Sequence, residues 1–298
     1  MSINANWREK MSKFVIFTDS SCDISYDTVK SWGADYSHLT FRFNDSSTEY
    51  TGETMDTKDF YNKMRDGGIA KTSAINPDGF MARFEEYLKE GIDVLYLGFS
   101  SGLSTTYRSG MLAANALSEK YPDRKIFCVD TLCASAGQGL LLKMAIDKKE
   151  SGATIEETRD YVESKKLNIC HWFTVDDLVY LKRGGRVSAT TAFVGNMLGI
   201  KPVMHVDNEG HLVNVTKVRG RKTAILEMAK KYGELNIDDD AGYVFISHGD
   251  CLADAEFLAK TIEEKYGKKT EIITFVGPVI GAHSGPGTLA LFFVGKER

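Results

Sequence analysis

Short apolar runs alternate with amphipathic stretches through the first half of the chain. The runs KFVIFT (13–18), DVLYLGF (93–99) and KIFCVD (125–130) have the length and composition of buried strands. The amphipathic stretches predict helices near Ser25 to Trp32 and over 56–67, 76–91, 105–121 and 136–152. This alternation predicts an N-terminal α/β/α domain of three layers, with a mainly parallel sheet, over residues 13–165.

The pattern changes after a helix predicted over 154–166. Strand-like runs then dominate, at 169–175, 200–210, 211–218, 243–249 and 269–276, and amphipathic stretches at 221–234 and 251–267 predict two helices among them. This mixture predicts a second α/β domain with a mixed sheet over residues 166–298. Only five prolines occur in the chain and no Ser/Gly-rich linker separates the halves. We therefore expect the two domains to share a substantial interface with a cleft.

Composition narrows the class of protein. The chain has 298 residues, of which 43% are apolar, which is enough for a well-packed core. With a formal charge of −4, the chain lacks the broad positive field that is expected of a dedicated nucleic-acid-binding protein. No stretch approaches the ~18 apolar residues of a membrane span, and the polar N-terminus lacks the apolar core of a signal peptide. These features predict a cytoplasmic protein without stable membrane insertion, with residues 1–12 as a disordered leader.

The five cysteines are scattered and form no C-x-x-C pair, which is typical of reduced thiols. Cys170 and His171 are adjacent and are the residue types that bind metals. Adjacent side chains on a strand point to opposite faces, so we expect no metal site there.

Four polar segments fall at predicted strand ends: FTDSSCDIS (17–25), KTSAIN (71–76), GFSSGLSTTYRSG (98–110) and VDTLCASAGQG (129–139). Each by itself is typical of a helix cap. Together, at one edge of a sheet, their hydroxyls and amides would form a cradle for an anion. No P-loop is present, and neither GQGLL nor GPGTLA continues as a dinucleotide fingerprint. A small carboxylate or a single phosphate is therefore a better candidate than a nucleotide cofactor.

A basic turn and an uncharged segment occupy residues 178–206. Lys182, Arg183 and Arg186 flank a Gly-Gly turn, and the stretch from 187 to 200 is almost free of charge. This stretch is either a buried core helix or the wall of a deep pocket. Further basic residues follow in KVRGRK (217–222), so this part of an acidic chain could contact a protein or phosphate partner.

His283 lies in FVGPVIGAHSGPGTLALFF (275–293), between Gly281 and Gly285. Because these neighbours lack the bulk that would bury a histidine for packing, we expect a ligand-binding or catalytic role.

A hydrolase is the alternative interpretation. Residues 98–102 fit the G-x-S-x-G pattern, and Ser100, Asp250 and His283 occur in the chain order of an α/β-hydrolase triad. No His-Gly-Gly segment precedes the serine, and the following helix is predicted to begin at Ser104 or later. A serine esterase or acyltransferase would also leave KTSAIN, VDTLCASAGQG and the basic turn without a role.

Taken together, these segments resemble the DegV family of bacterial fatty-acid-binding proteins. The resemblance covers the chain after residue 12, and its specificity comes from the order and spacing of several motifs. These are TDSSCDIS, KTS, SSGLSTTYRSG, VDTLCASAGQGLLL, LVYLKRGGRVS, IKPV, KVRGRK and GAHSGPGTLALFF.

The resemblance implies a carrier that is not an enzyme and has no cofactor. It would enclose one long-chain fatty acid, such as palmitate, in an apolar tunnel and present its carboxylate to a fatty acid kinase, acting as a monomer. Thr72, Ser104 and His283 would bind the carboxylate, assisted by Ser73 and Ser101. The motifs also place Arg186 and Arg219 at the entrance or the partner face.

Two positions depart from the family pattern. TSAIN replaces the usual TSQPS-like segment, and Thr105 replaces a small glycine. Thr105 would either narrow the space beside the carboxylate or change which hydroxyl donates to it, so the departures bear on the individual donors more than on the family.

Overall fold

Four parallel strands form the first sheet of the computed structural model, which describes residues 13–188, 199–237 and 242–298. Their order is β2-β1-β5-β6, with β1 at Phe14–Asp19, β2 at Ala34–Ser37, β5 at Asp93–Gly98 and β6 at Ile126–Asp130. Every residue of β1 and β5 is buried, as expected for a parallel sheet covered on both faces. The predicted leader, and residues 189–198 of the predicted core helix or pocket wall, lie outside the described residues.

The second sheet is mixed, as predicted, and has the order β11-β10-β12-β7-β8-β9. Its strands are β7 (Ile169–Thr174), β8 (Ile200–Val206), β9 (Leu212–Arg219), β10 (Val244–His248), β11 (Ile272–Phe275) and β12 (Leu289–Val294). The β10–β11 pair is parallel, and the other pairs are antiparallel. The strand prediction missed β12 (LALFFV), although apolar runs of this kind were predicted as buried strands elsewhere in the chain. It lies between β10 and β7 and is buried throughout.

A two-stranded antiparallel sheet was not predicted from the sequence. It pairs β3 (Thr40–Phe43) with β4 (Ala70–Ser73), and each strand has only four residues. Phe41 and Phe43 pack against Phe60 and Tyr61 in a buried aromatic cluster. This small sheet holds the KTS segment against the body of the protein.

Ten described helices pack around the three sheets. They are α1 (Tyr26–Ser31), α2 (Thr57–Arg65), α3 (Pro77–Lys89), α4 (Thr106–Lys120), α5 (Ala136–Glu150), α6 (Ile155–Lys165), α7 (Val179–Arg183), α8 (Arg221–Leu235), α9 (Leu252–Tyr266) and α10 (Pro278–Ser284). The short helix α10 was not predicted. None of the described helices has the length and apolar character that crossing a membrane would require.

Helix α5 lies between the two large sheets. Ten of its fifteen residues are buried, and it contacts β1 of the first sheet and β7, β10 and β12 of the second. Gly137 and Gly139 permit this close approach, because a Cβ atom at either position would collide with His171 or with Ile24. One hydrophobic cluster therefore includes residues of both sheets, which confirms the predicted α/β class. The boundary at residue 166 stays a prediction.

Candidate functional site

A cavity of about 470 Å³ lies beside α10. Residues 276, 279, 280, 283 and 284 line it with the spacing of one helical face. Most of the other lining side chains are apolar: Leu39, Ala74, Phe99, Leu103, Ala134, Phe173, Leu181, Val206, Leu212, Ala290 and Phe292. The cavity can therefore bury an apolar group of substantial length.

Thr72 and His283 meet at the cavity wall. Thr72 comes from β4 and His283 from α10, and Thr72 Oγ1 lies 2.8 Å from His283 Nε2. Both residues line the cavity, and their role in ligand binding stays a prediction. Ser73, the next residue on β4, is exposed and does not occur among the described residues that line the cavity. Alternation along the strand separates the two hydroxyls.

His283 is in an environment that keeps its imidazole neutral. Burial, with a smaller effect from the Arg186 cation, lowers its pKa to about 4. Nδ1 is buried and has no hydrogen-bond partner among the described residues. Since an unpaired acceptor costs less than an unpaired N–H, we assign the proton to Nε2. That N–H donates to Thr72 Oγ1, and the threonine hydroxyl can then donate its own proton to a ligand.

The start of α4 supplies further hydroxyls. Ser104 Oγ accepts a hydrogen bond from the Thr106 amide at 3.2 Å and lies 2.9 Å from Thr106 Oγ1. Ser101, Ser104 and Thr105 all line the cavity. Ser104 and Thr105 directly precede this fifteen-residue helix, and the N-terminus of a helix favours an anion. The side chain of Thr105 takes no part in capping the helix.

Arg186 lies between the cavity and a second, more open depression that Gly185 and Lys217 also line. Its Nε and one terminal nitrogen donate to the Leu103 carbonyl at 3.0 and 2.8 Å, and the other terminal nitrogen donates to the Gly184 carbonyl. Burial lowers the pKa of this guanidinium, but an arginine stays charged. The structure thus places a cation at the edge of the cavity.

Arg219 does not reach the cavity. It ends β9 and its side chain is exposed. The two predicted arginines therefore differ in position, since one lies beside the cavity and the other is on the surface.

The alternative hydrolase triad is not assembled. Ser100 is fully buried, and its hydroxyl donates to the Gly210 carbonyl at 2.9 Å. Asp250 accepts a hydrogen bond from Arg65, while His283 contacts Thr72. The chain order of these three residues matches a triad, but the folded chain gives each one a different partner.

Several polar residues of the cavity were not predicted as site residues. Ser135, His171, Ser284 and Thr288 line it. Ser135 lies in VDTLCASAGQG, a segment that the sequence analysis identified without choosing a residue. His171 faces the cavity side while Cys170 packs in another cluster, as strand alternation predicts. Within the described ranges, no group of three or more His, Cys, Asp or Glu side chains could hold a metal ion.

Comparisons with known proteins agree on one family. The family model described as "Uncharacterised protein, DegV family" matches residues 13–296. A DegV domain-containing protein from Clostridium perfringens is 45% identical over 97% of this chain and 99% of its own length. A fatty acid-binding protein from Thermotoga maritima is 35% identical over 96% of this chain and 99% of its own length.

A solved structure is also similar to this chain along nearly its full length. It is a DegV lipid binding protein from Thermotoga maritima, with a TM-score of 0.82 and 32% identity. The match covers 96% of this chain and 99% of that one.

Proposed function

The chain belongs to the DegV family, and from this premise we propose that it binds one long-chain fatty acid, of the palmitate class, in the cavity beside α10. The observation that carries the proposal is a mostly apolar cavity of about 470 Å³ with Thr72, Ser104 and His283 in its wall. The acyl chain would contact the apolar side chains, and the carboxylate would accept hydrogen bonds from the hydroxyls.

Burial of the acyl chain would supply most of the affinity. At about 0.8 kcal/mol per buried methylene, a long chain contributes more than ~10 kcal/mol before the cost of ordering it. The hydroxyl groups would then mainly orient the head group. Each hydrogen bond that a carboxylate accepts favours its ionised form.

Neutral donors and one nearby cation suit a carboxylate that has to be reached by another protein. The two hydroxyls that would donate hydrogen bonds to the ligand carboxylate, those of Thr72 and Ser104, carry no charge. The Arg186 guanidinium donates its hydrogen bonds to the backbone carbonyls of Leu103 and Gly184. Arg186 would attract the carboxylate electrostatically, but it would not form a tight ion pair with it, because its N–H groups donate to backbone carbonyls. The head group would therefore remain available at the edge of the cavity.

We further propose that this chain is a carrier and that a fatty acid kinase supplies the phosphoryl chemistry. The carrier would act in the cytoplasm as a monomer, and Arg186 and Arg219 would face the entrance or the kinase. The exposed position of Arg219 and the edge position of Arg186 support these roles. A basic surface suits a partner with acidic or phosphate groups.

Denaturing extraction followed by mass spectrometry tests the binding proposal. Purified protein should release about one equivalent of free fatty acid with a chain of C14 to C18. Delipidated protein should take up the same class of lipid again. Protein that carries no lipid and forms an acyl-serine with an activated ester would instead support the hydrolase.

The partner proposal needs a kinase assay alongside the binding assay. Arg186→Ala and Arg219→Ala should each lower the rate of acyl-phosphate formation more than they lower fatty-acid affinity. Lys296→Ala is a suitable control, because Lys296 is an exposed cation on another part of the surface. A larger loss of affinity than of phosphorylation would contradict the proposed role.

A further inference from the structure

Two sequence segments that the carboxylate site leaves unused, 17–25 and 129–139, meet at Ser135 in the cavity wall. Ser135 lines the cavity immediately before α5. Its hydroxyl donates to Asp23 Oδ2 at 2.5 Å and lies 2.9 Å from Ser247 Oγ on β10. Ser135 is 5% exposed, Asp23 is 7% exposed and Ser247 is fully buried. We call these three residues the Ser135 cluster.

Backbone conformation fixes the position of the Ser135 cluster. Asp23 has a φ of 52° and Ser135 a φ of 54°, values that residues other than glycine rarely adopt. Leu132 and Asp250 are the other two described non-glycine residues with positive φ. That two of the four hydrogen-bond to one another shows that the surrounding structure holds this contact in place. Ser135, which lines the cavity, is therefore held at one point of its wall.

The cluster can both donate and accept hydrogen bonds. Among the described residues no cation contributes to the environment of Asp23, and burial raises the pKa of its carboxyl to about 7. When Asp23 is ionised, Ser135 donates to it and keeps a lone pair for a group in the cavity. When Asp23 is protonated it can donate to Ser135, which frees the serine proton. A ligand hydroxyl, which is donor and acceptor at once, is matched in both states.

Helix α10 sets the distance between this cluster and the carboxylate site. A Cβ atom at Gly277, the residue before α10, would lie 2.7 Å from Asp23 Oδ1, so Asp23 lies beside the start of the helix. His283 is six residues further on, about 9 Å at a rise of 1.5 Å per residue. Between the two, α10 presents Val279 and Ile280 to the cavity. A ligand group at Ser135 would thus belong to the middle of an acyl chain.

We propose that the Ser135 cluster recognises a mid-chain hydroxyl, so that the cavity accepts long-chain hydroxy fatty acids as well as unsubstituted ones. This inference rests on the proposed fatty-acid binding. A methylene beside Ser135 leaves the free hydrogen-bonding capacity of the serine unused, whereas a hydroxyl at the same point pairs with it. The site therefore selects for the position of the oxygen along the chain.

The test compares octadecanoic acid with a positional series of hydroxyoctadecanoic acids on delipidated full-length protein, by isothermal titration calorimetry. At least one isomer between the 6- and 12-hydroxy positions should bind as tightly as octadecanoic acid or more tightly. The 2-hydroxy isomer should show no gain, because its hydroxyl lies beside the carboxylate.

Ser135→Gly is the decisive variant, since glycine removes the hydroxyl and adopts the positive φ without strain. It should weaken the preferred hydroxy isomer about tenfold or more and leave octadecanoic acid within about twofold. Leu132→Gly, at another positive φ in the same loop, controls for added flexibility and should preserve the preference.

Two outcomes would overturn the inference. One is that every mid-chain isomer binds at least tenfold more weakly than octadecanoic acid. The other is that Ser135→Gly weakens both ligands equally. Failure of octadecanoic acid itself to bind the native protein is a different pattern, and it would refute the proposed function on which the inference depends.

Discussion

Thr72 Oγ1 and His283 Nε2 lie 2.8 Å apart, although 211 positions separate the two residues in the chain. The contact joins β4 of the small sheet to α10 near the C-terminal end of the chain. It makes the threonine hydroxyl an oriented donor, because the imidazole N–H occupies one of its lone pairs. The relationship predicts how individual changes around the cavity will act.

Removal of the hydroxyls that donate hydrogen bonds to the ligand carboxylate should weaken palmitate binding without unfolding the protein. A hydrogen bond to a charged group contributes about 1.5–3 kcal/mol, so Thr72→Val and Ser104→Ala should each raise the Kd for palmitate roughly tenfold or more. Ser73→Ala is the matched control, since Ser73 is exposed on the other face of β4. Calorimetric titration of the delipidated variants gives the comparison. Equal affinities for all three variants would refute the carboxylate site.

Gly184→Ala should disturb His283 without touching the ligand directly. A Cβ atom at Gly184 would collide with Nδ1 of His283, whereas one at Gly185 would meet open space. The alanine should therefore displace the imidazole from Thr72 and weaken palmitate binding about as much as His283→Ala does. Gly185→Ala is the control. Its positive φ should cost stability, on the order of 1 kcal/mol, and leave binding unchanged.

If His283 is neutral in the folded protein, the free energy of unfolding should decrease as the pH falls. Its pKa is about 4 in the folded protein and near 6.5 when unfolded, so the unfolded chain binds more protons between these values. His283 should therefore cost the ligand-free protein about 3 kcal/mol of stability as the pH falls from 6.5 to 4. Urea unfolding at both pH values measures this loss, which His283→Gln should reduce.

Asp23 provides a contrast with the opposite sign. Its folded-state pKa of about 7 lies above the ordinary value of 3.8, so its cost to stability grows as the pH rises through that interval. Asp23→Asn should therefore alter the urea midpoint more at pH 8 than at pH 4.

If His283→Gln had the larger effect at high pH, the assignment of a neutral imidazole to His283 would be wrong.

Ser100→Ala should lower the stability of the protein and leave its ligand binding unchanged. The Ser100 hydroxyl donates to the Gly210 carbonyl and accepts from the Gly102 amide, so its loss should cost about 1–2 kcal/mol. Palmitate binding should be unchanged. The native protein should also resist a serine-directed fluorophosphonate, because Ser100 is fully buried. Labelling of the native protein that disappears in Ser100→Ala would restore the hydrolase hypothesis.

Arg298 should be important for stability through its backbone contacts. Its guanidinium donates to the carbonyls of Leu132 at 2.7 Å, Asp207 at 3.0 Å and Lys166 at 2.5 Å. Arg298→Met leaves these acceptors without the cation and should lower the free energy of unfolding by about 2 kcal/mol. Lys296→Met, at an exposed position nearby, should change it by less than about 0.5 kcal/mol. Equal effects in chemical denaturation would show that the Arg298 contacts add nothing.

The sequence by itself determined the α/β class, the parallel and mixed sheets and most helices, because periodicity is a local property of the chain. The motifs also identified the family and brought Thr72, Ser101, Ser104, Arg186 and His283 forward as candidates, and the structure places all five at one cavity. Local patterns missed β2, β3 and β4, which have four residues each and are too short to show a period, and they also missed β12.

Only the tertiary structure decided which of several similar hydroxyls face the cavity. Ser73 and Thr72 are neighbours in sequence, yet the pleat of β4 separates them. Ser100 matched a catalytic pattern, but its hydroxyl donates a hydrogen bond to the Gly210 carbonyl. Ser135 acquires its partners because α5 packs between two sheets and brings Asp23 and Ser247 to it. The partners of Ser100 and Ser135, and the contact of Thr72 with His283, join residues more than a hundred positions apart, and no local pattern encodes them.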